Sequence, residues 1–100
     1  MKLELTDNAI QWFEDEFSLD NGKAIRFFGK TYGNTEVHEG FSVGLTVDEL
    51  EGEALAKQEV NGITYFAGKE DDWFFSGYDL EIDFDFENED LIYHFHETAK

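Results

Sequence analysis

The sequence predicts a β-rich α+β domain, and three observations carry that expectation. In FSVGLTV, Phe41, Val43, Leu45 and Val47 alternate with Ser42, Gly44 and Thr46, the two-residue period of a half-buried strand. In YDLEIDFDFE, Leu80, Ile82, Phe84 and Phe86 fall on one face and Asp79, Glu81, Asp83, Asp85 and Glu87 on the other. Near the N-terminus, Ala9, Ile10, Phe13 and Phe17 recur at helical spacing.

The elements follow in order. Lys2 to Leu5 alternates polar and apolar residues and reads as a short strand. Thr6 or Asp7 supplies a helix N-cap, because a side-chain oxygen there can accept a free amide of the first turn. Glu14, Asp15 and Glu16 face outward near the helix C-terminus and oppose its dipole, so this helix depends on packing. Asn21-Gly22 ends the unit, and Ala24 to Phe28 reads as a strand buried on both faces. Asp48 to Gly52 is an acidic turn and Ala54 to Val60 a weaker strand. Asn61-Gly62 is the best hairpin signal, with Ile63 to Ala67 returning. Glu70, Asp71 and Asp72 before Trp73, Phe74 and Phe75, with Gly77 after, mark a short second helix. Its rings read as core filling, and any that stayed exposed would be a contact point. A turn at Asn88 to Asp90 and a strand from Leu91 to Glu97 complete about seven strands and two helices.

One hundred residues predict one domain, 1–100, and eleven Phe, four Tyr and two Trp are enough to build a core. The charge is −17, from 24 acidic and 7 basic residues. Such a surface repels phosphate backbones and anionic lipid, which disfavours nucleic-acid and membrane roles and favours cations or a basic protein patch. The plain alternative is that the charge serves solubility. The absence of cysteine excludes disulfides, thiolate nucleophiles and thiolate-held clusters, and fits a cytoplasmic protein. No apolar run approaches membrane-spanning length, and MKLELTDNAIQW does not read as a signal peptide.

KTYGNTEVHEG, from Lys30 to Gly40, is far longer and more polar than a tight hairpin needs. Together with LTDNAIQWF, AIRFFGKTYG and NGITYFAGKEDDWFFSGYDLEIDF, it gives the chain a resemblance to the HesB/IscA-like family, the A-type iron–sulfur biogenesis domain. The resemblance lies in the order of elements and the spacing from Gly62 to Gly77, and is nearest to a cysteine-free, YneR-like branch. It implies two small, mostly antiparallel sheets packed with an N-terminal helix and a short second helix. Carrier members of that family hold iron or a cluster with three cysteines, one in this loop and a C-x-C pair in a C-terminal tail. Here the loop position corresponds to about Asn34, and no tail pair exists. An amide is a poor ligand for such a cluster, so carrier activity does not transfer.

Two constellations remain. His94 and His96 share a strand face, as two metal ligands would, and Glu36, His38 and Glu39 in the loop are candidate completing ligands for iron or zinc. The plain alternative is two half-exposed imidazoles on an edge strand. The comb Asp79, Glu81, Asp83, Asp85 and Glu87 reads as a solvated face that discourages edge-to-edge aggregation, or as a docking face for a basic partner. A straight strand cannot wrap a calcium ion, and no catalytic motif occurs. The expectation is a non-enzymatic accessory protein of iron–sulfur or iron metabolism without a cofactor, docking on a protein of the cluster-assembly machinery as monomer or homodimer. The competing expectation is an interaction module that kept the fold without any link to iron.

Overall fold

The computed structural model describes residues 1–17, 24–31, 33, 40, 42–50 and 52–98. The elements among them run β1 (Leu3–Leu5), α1 (Asp7–Glu16), β2 (Ala24–Lys30), β3 (Ser42–Asp48), β4 (Ala54–Val60), β5 (Ile63–Gly68), a 3₁₀ turn (Lys69–Asp71), α2 (Asp72–Phe75), β6 (Tyr78–Asp85) and β7 (Asp90–Glu97). They form a three-stranded sheet, β1-β6-β7, and a four-stranded sheet, β3-β2-β5-β4. Two small sheets, an N-terminal helix and a short second helix are the expected architecture. Three pairings are antiparallel, while β1 with β6 and β2 with β5 run parallel.

Local chemistry explains the elements. Thr6 caps α1 by accepting the Ala9 amide at 3.2 Å. With no basic residue in its last turn, α1 is held by burial of Ala9 and Phe13, and Glu14 accepts a hydrogen bond from the Asn61 side chain at 2.6 Å. Asn61 and Gly62 both adopt positive φ, 51° and 83°, as the tight turn between β4 and β5 requires.

The core lies between the inner faces of the sheets. Leu80, Ile82 and Phe84 face it from β6, and Ile25, Phe27, Tyr65 and Ala67 from β2 and β5. Phe13 packs α1 onto the four-stranded sheet, its ring meeting Phe27 at 6.0 Å and Tyr65 at 5.3 Å. Below α2, Phe74 and Phe75 both pack on Phe95. Gly29 lets α2 approach β2, because a Cβ there would stand 2.6 Å from the Phe74 ring.

Four details differ from the sequence-based reading. β2 has one buried face rather than two: Arg26 and Phe28 on its other face are half-buried, and the guanidinium lies 5.5 Å from the Phe28 ring. Phe86 leaves the apolar row of β6, because the strand ends at Asp85, and is 47% exposed. β6 is the central strand of its sheet, so its carboxylates cannot guard an edge. Trp73 is exposed while Phe74 and Phe75 are buried, which leaves one ring of the second helix on the surface.

Tyr65 is buried in this core and its hydroxyl has no hydrogen-bond partner among the described residues. Burial, aided by the Glu14 charge, pushes its ionisation up to about 12. Burial also pushes Tyr93 up. Folding therefore keeps both phenols protonated where the unfolded chain would ionise them. Their contribution is fully present below the unfolded tyrosine value of about 10 and is lost as pH rises through the folded values. Tyr65→Phe is expected to leave stability at neutral pH unchanged or about 1 kcal/mol higher, since it removes an unsatisfied hydroxyl. It should also flatten part of the alkaline fall in the urea midpoint. A loss above about 1 kcal/mol at neutral pH would mean the hydroxyl is satisfied.

Candidate functional site

The outward face of the three-stranded sheet brings most of the described candidate residues together. Along β6, Asp79, Glu81, Asp83 and Asp85 point away from the core in alternation with buried Leu80, Ile82 and Phe84. In register beside them stand Glu4 of β1, opposite Glu81, and His96, His94, Ile92 and Asp90 of β7, opposite Asp79, Glu81, Asp83 and Asp85. The result is a sheet surface with six carboxylates and two imidazoles. Glu87 lies beyond the strand, exposed in the turn.

These carboxylates are not equivalent. Asp79 accepts the Lys2 amide at 2.7 Å and so ties β1 down. Asp83 accepts the Thr6 hydroxyl at 2.6 Å, orienting the oxygen that caps α1. Asp85 accepts the Asn88 side chain at 2.6 Å and the Glu87 and Asn88 amides at 2.9 and 3.3 Å. The Asn88 side chain, then its amide and that of Glu87, hold the Asp85 carboxyl below the usual aspartate range. The turn's stabilisation by that carboxylate is present above the ordinary aspartate value and lost as pH falls through the depressed one. Three comb residues thus have structural partners within the fold. Glu81 and Glu4 stand side by side in register, Glu4 exposed and Glu81 half-buried beside His96.

The His94 and His96 rings share this face with centroids 6.4 Å apart, and His96 Nε2 lies 3.4 Å from Glu81 Oε1. β7 is an edge strand, as expected. Among the described residues, no group of three or more His, Asp or Glu side chains is placed to hold a metal ion. Asn34, Glu36, His38 and Glu39 lie outside the described residues.

Two features escaped the sequence reading. Arg26, the chain's single arginine, lies 2.8 Å from Asp71 and 2.9 Å from Glu70, and Asp71 is the buried charged residue among those described. These ion pairs, chiefly the Asp71 hydrogen bond, raise the ionisation of Arg26 further. A cleft of about 530 Å³ beside it is lined by Asp48, Glu49, Glu53 and Glu70, but its guanidinium is already paired. The second feature is a groove where Trp12 stacks on Phe84 at 5.1 Å and Phe86 meets Phe84 edge-on at 4.8 Å. A lone arginine inside the apolar run AIRFF was the available signal for the first. Phe86 gave no signal, because its period matches the buried row.

The architecture is that of the HesB/IscA class. A solved structure described as IscA with its [2Fe-2S] cluster superposes with a TM-score of 0.57 at 20% identity, over 95% of this chain and 81% of that one. No family model matches the sequence. The pyruvate dehydrogenase inhibitor of Bacillus subtilis strain 168 is 30% identical over 95 residues, spanning 95% of this chain and 99% of that protein. Uncharacterized proteins of Staphylococcus saprophyticus and Staphylococcus haemolyticus are 32% and 31% identical, each over 83% of this chain and 87% and 86% of theirs. The chain belongs to the family of the Bacillus subtilis pyruvate dehydrogenase inhibitor. The donor set does not fit the cluster of the IscA structure through thiolates, since these hundred residues contain no cysteine. Among the described residues no helix is long and apolar enough to cross a membrane.

Proposed function

We propose that this chain is a cytoplasmic docking protein that regulates a partner enzyme by binding it, without catalysis and without carrying a cluster. The observation that carries this reading is the acidic outward face of β1-β6-β7 in a chain with net charge −17. Such a face steers and orients a basic partner patch. The name of its Bacillus subtilis relative supports an enzyme as partner and makes pyruvate dehydrogenase the first candidate. Affinity capture from the native host tests it. A retained protein should be released as salt rises from about 0.05 to about 0.5 M, where screening shortens to a few ångströms. No protein retained above control would sink the reading.

A second reading keeps an accessory role in iron or iron–sulfur metabolism, with the partner drawn from cluster-assembly machinery. The adjacent imidazoles of His94 and His96 beside Glu81 favour it. Iron or zinc would be held weakly there, with Glu36, His38 and Glu39 as the sequence candidates for completing the set. Metal analysis of the same captured sample decides. Stoichiometric iron or zinc, absent from His94→Ala/His96→Ala, supports it, and equal metal in both proteins removes it.

A further inference from the structure

We propose that the groove between α1 and the β6–β7 turn receives an arginine side chain of a partner polypeptide. This deepens the docking reading and rests on it, but uses a different surface from the acidic sheet face. The groove, about 370 Å³, is lined by Trp12, Asp15, Glu16, Phe84, Phe86 and Glu89. Its floor is aromatic. Phe84 is 4% exposed, Trp12 lies over it with an interplanar angle of 16°, and Phe86 closes one side at 73° while remaining 47% exposed. Its rim is anionic: Asp15, Glu16 and Glu89 are all exposed, and no lining residue is cationic.

An aromatic floor with a carboxylate rim selects its occupant by two requirements at once. The ring faces attract a cation and apolar carbon, and the rim demands positive charge. Anionic lipid and acidic peptides are repelled. Arginine meets both requirements better than lysine, since its planar guanidinium stacks on a ring while its edges donate to carboxylates. The occupant comes from outside the chain. A second copy carries the same net charge of −17, and its one arginine is committed to Glu70 and Asp71. The rigid turn suits a receptor surface: Asp85 and Asn88 lock it, and Glu89 is carried at φ 55° to the rim.

Trp12 is the natural reporter, because Trp73→Phe leaves it the only tryptophan. The probe is a short peptide with one arginine between leucines, compared with the same peptide carrying citrulline. The arginine peptide should give a saturable change in Trp12 fluorescence, with the citrulline peptide about tenfold weaker. Phe86→Ser and Glu16→Gln/Glu89→Gln should each weaken the arginine peptide to a similar degree, while Glu81→Gln on the sheet face leaves it unchanged. Equal response to both peptides, or equal loss from Glu81→Gln, overturns the proposal. Host partner capture without any peptide signal overturns the groove and leaves the docking reading. Peptide signal without a captured partner supports the groove and overturns that reading.

Discussion

Phe13→Ala is expected to lower the unfolding free energy by about 4 kcal/mol. Phe13 is fully buried and meets four rings: Trp12 in its helix, Phe17 at the helix C-cap, Phe27 of β2 and Tyr65 of β5. Removing it deletes the apolar surface it buries and leaves a cavity that the strands cannot close, since both are held in central positions of their sheet. α1 suffers twice, because its C-terminal end carries Glu14, Asp15 and Glu16 with no basic counterweight and is held by this contact. For a domain of this size the thermal midpoint should fall by about 20 °C. A loss below about 1 kcal/mol would mean this ring does not hold α1 to the four-stranded sheet.

Arg26→Met is expected to cost about 3 kcal/mol, nearly all of it through Asp71. That carboxylate is 5% exposed, with Arg26 at 2.8 Å and the Gly29 amide at a long 3.4 Å. Without the guanidinium this buried charge keeps one weak partner among the described residues. The double variant Arg26→Met/Asp71→Leu should be more stable than Arg26→Met alone, because it removes the stranded charge as well. Urea denaturation of the three proteins reads the result. A double variant less stable than Arg26→Met would mean that Asp71 is not a stranded buried charge in the single variant.

The contrast between these sites shows what the sequence could reveal. The strands of period two and the Asn61-Gly62 turn were legible because local chemistry dictates them: alternation can bury only one face, and the turn needs positive φ. The two parallel pairings were not, since nothing local links Leu3 with Leu80 or Ile25 with Tyr65. The same distance hid the pairing of Arg26 with Asp71, which are 45 residues apart. Periodicity misplaced Phe86 because it cannot see where a strand ends. Asp85 and Asn88 end it by closing a turn, which carries the ring out of the buried row.

The candidate site divides the same way. The acidic face and the imidazole pair were legible as residue types at alternate positions. Their division of labour was not. Asp79 and Asp83 turn out to hold β1 and the α1 cap, contacts that reach across 77 residues. Glu81, with Glu4 beside it in register, is left as the centre of the face.

Docking through that face is tested most directly by binding to the proposed partner, the host pyruvate dehydrogenase, at low salt. Wild type and Glu4→Lys/Glu81→Lys would be compared, with circular dichroism confirming that both are folded. Wild type should bind and inhibit, and the double reversal should weaken both effects about tenfold or more, as juxtaposed like charges at an interface cost several kcal/mol. Equal binding by the two proteins would contradict docking through the sheet face, and no binding by wild type would contradict this enzyme as the partner.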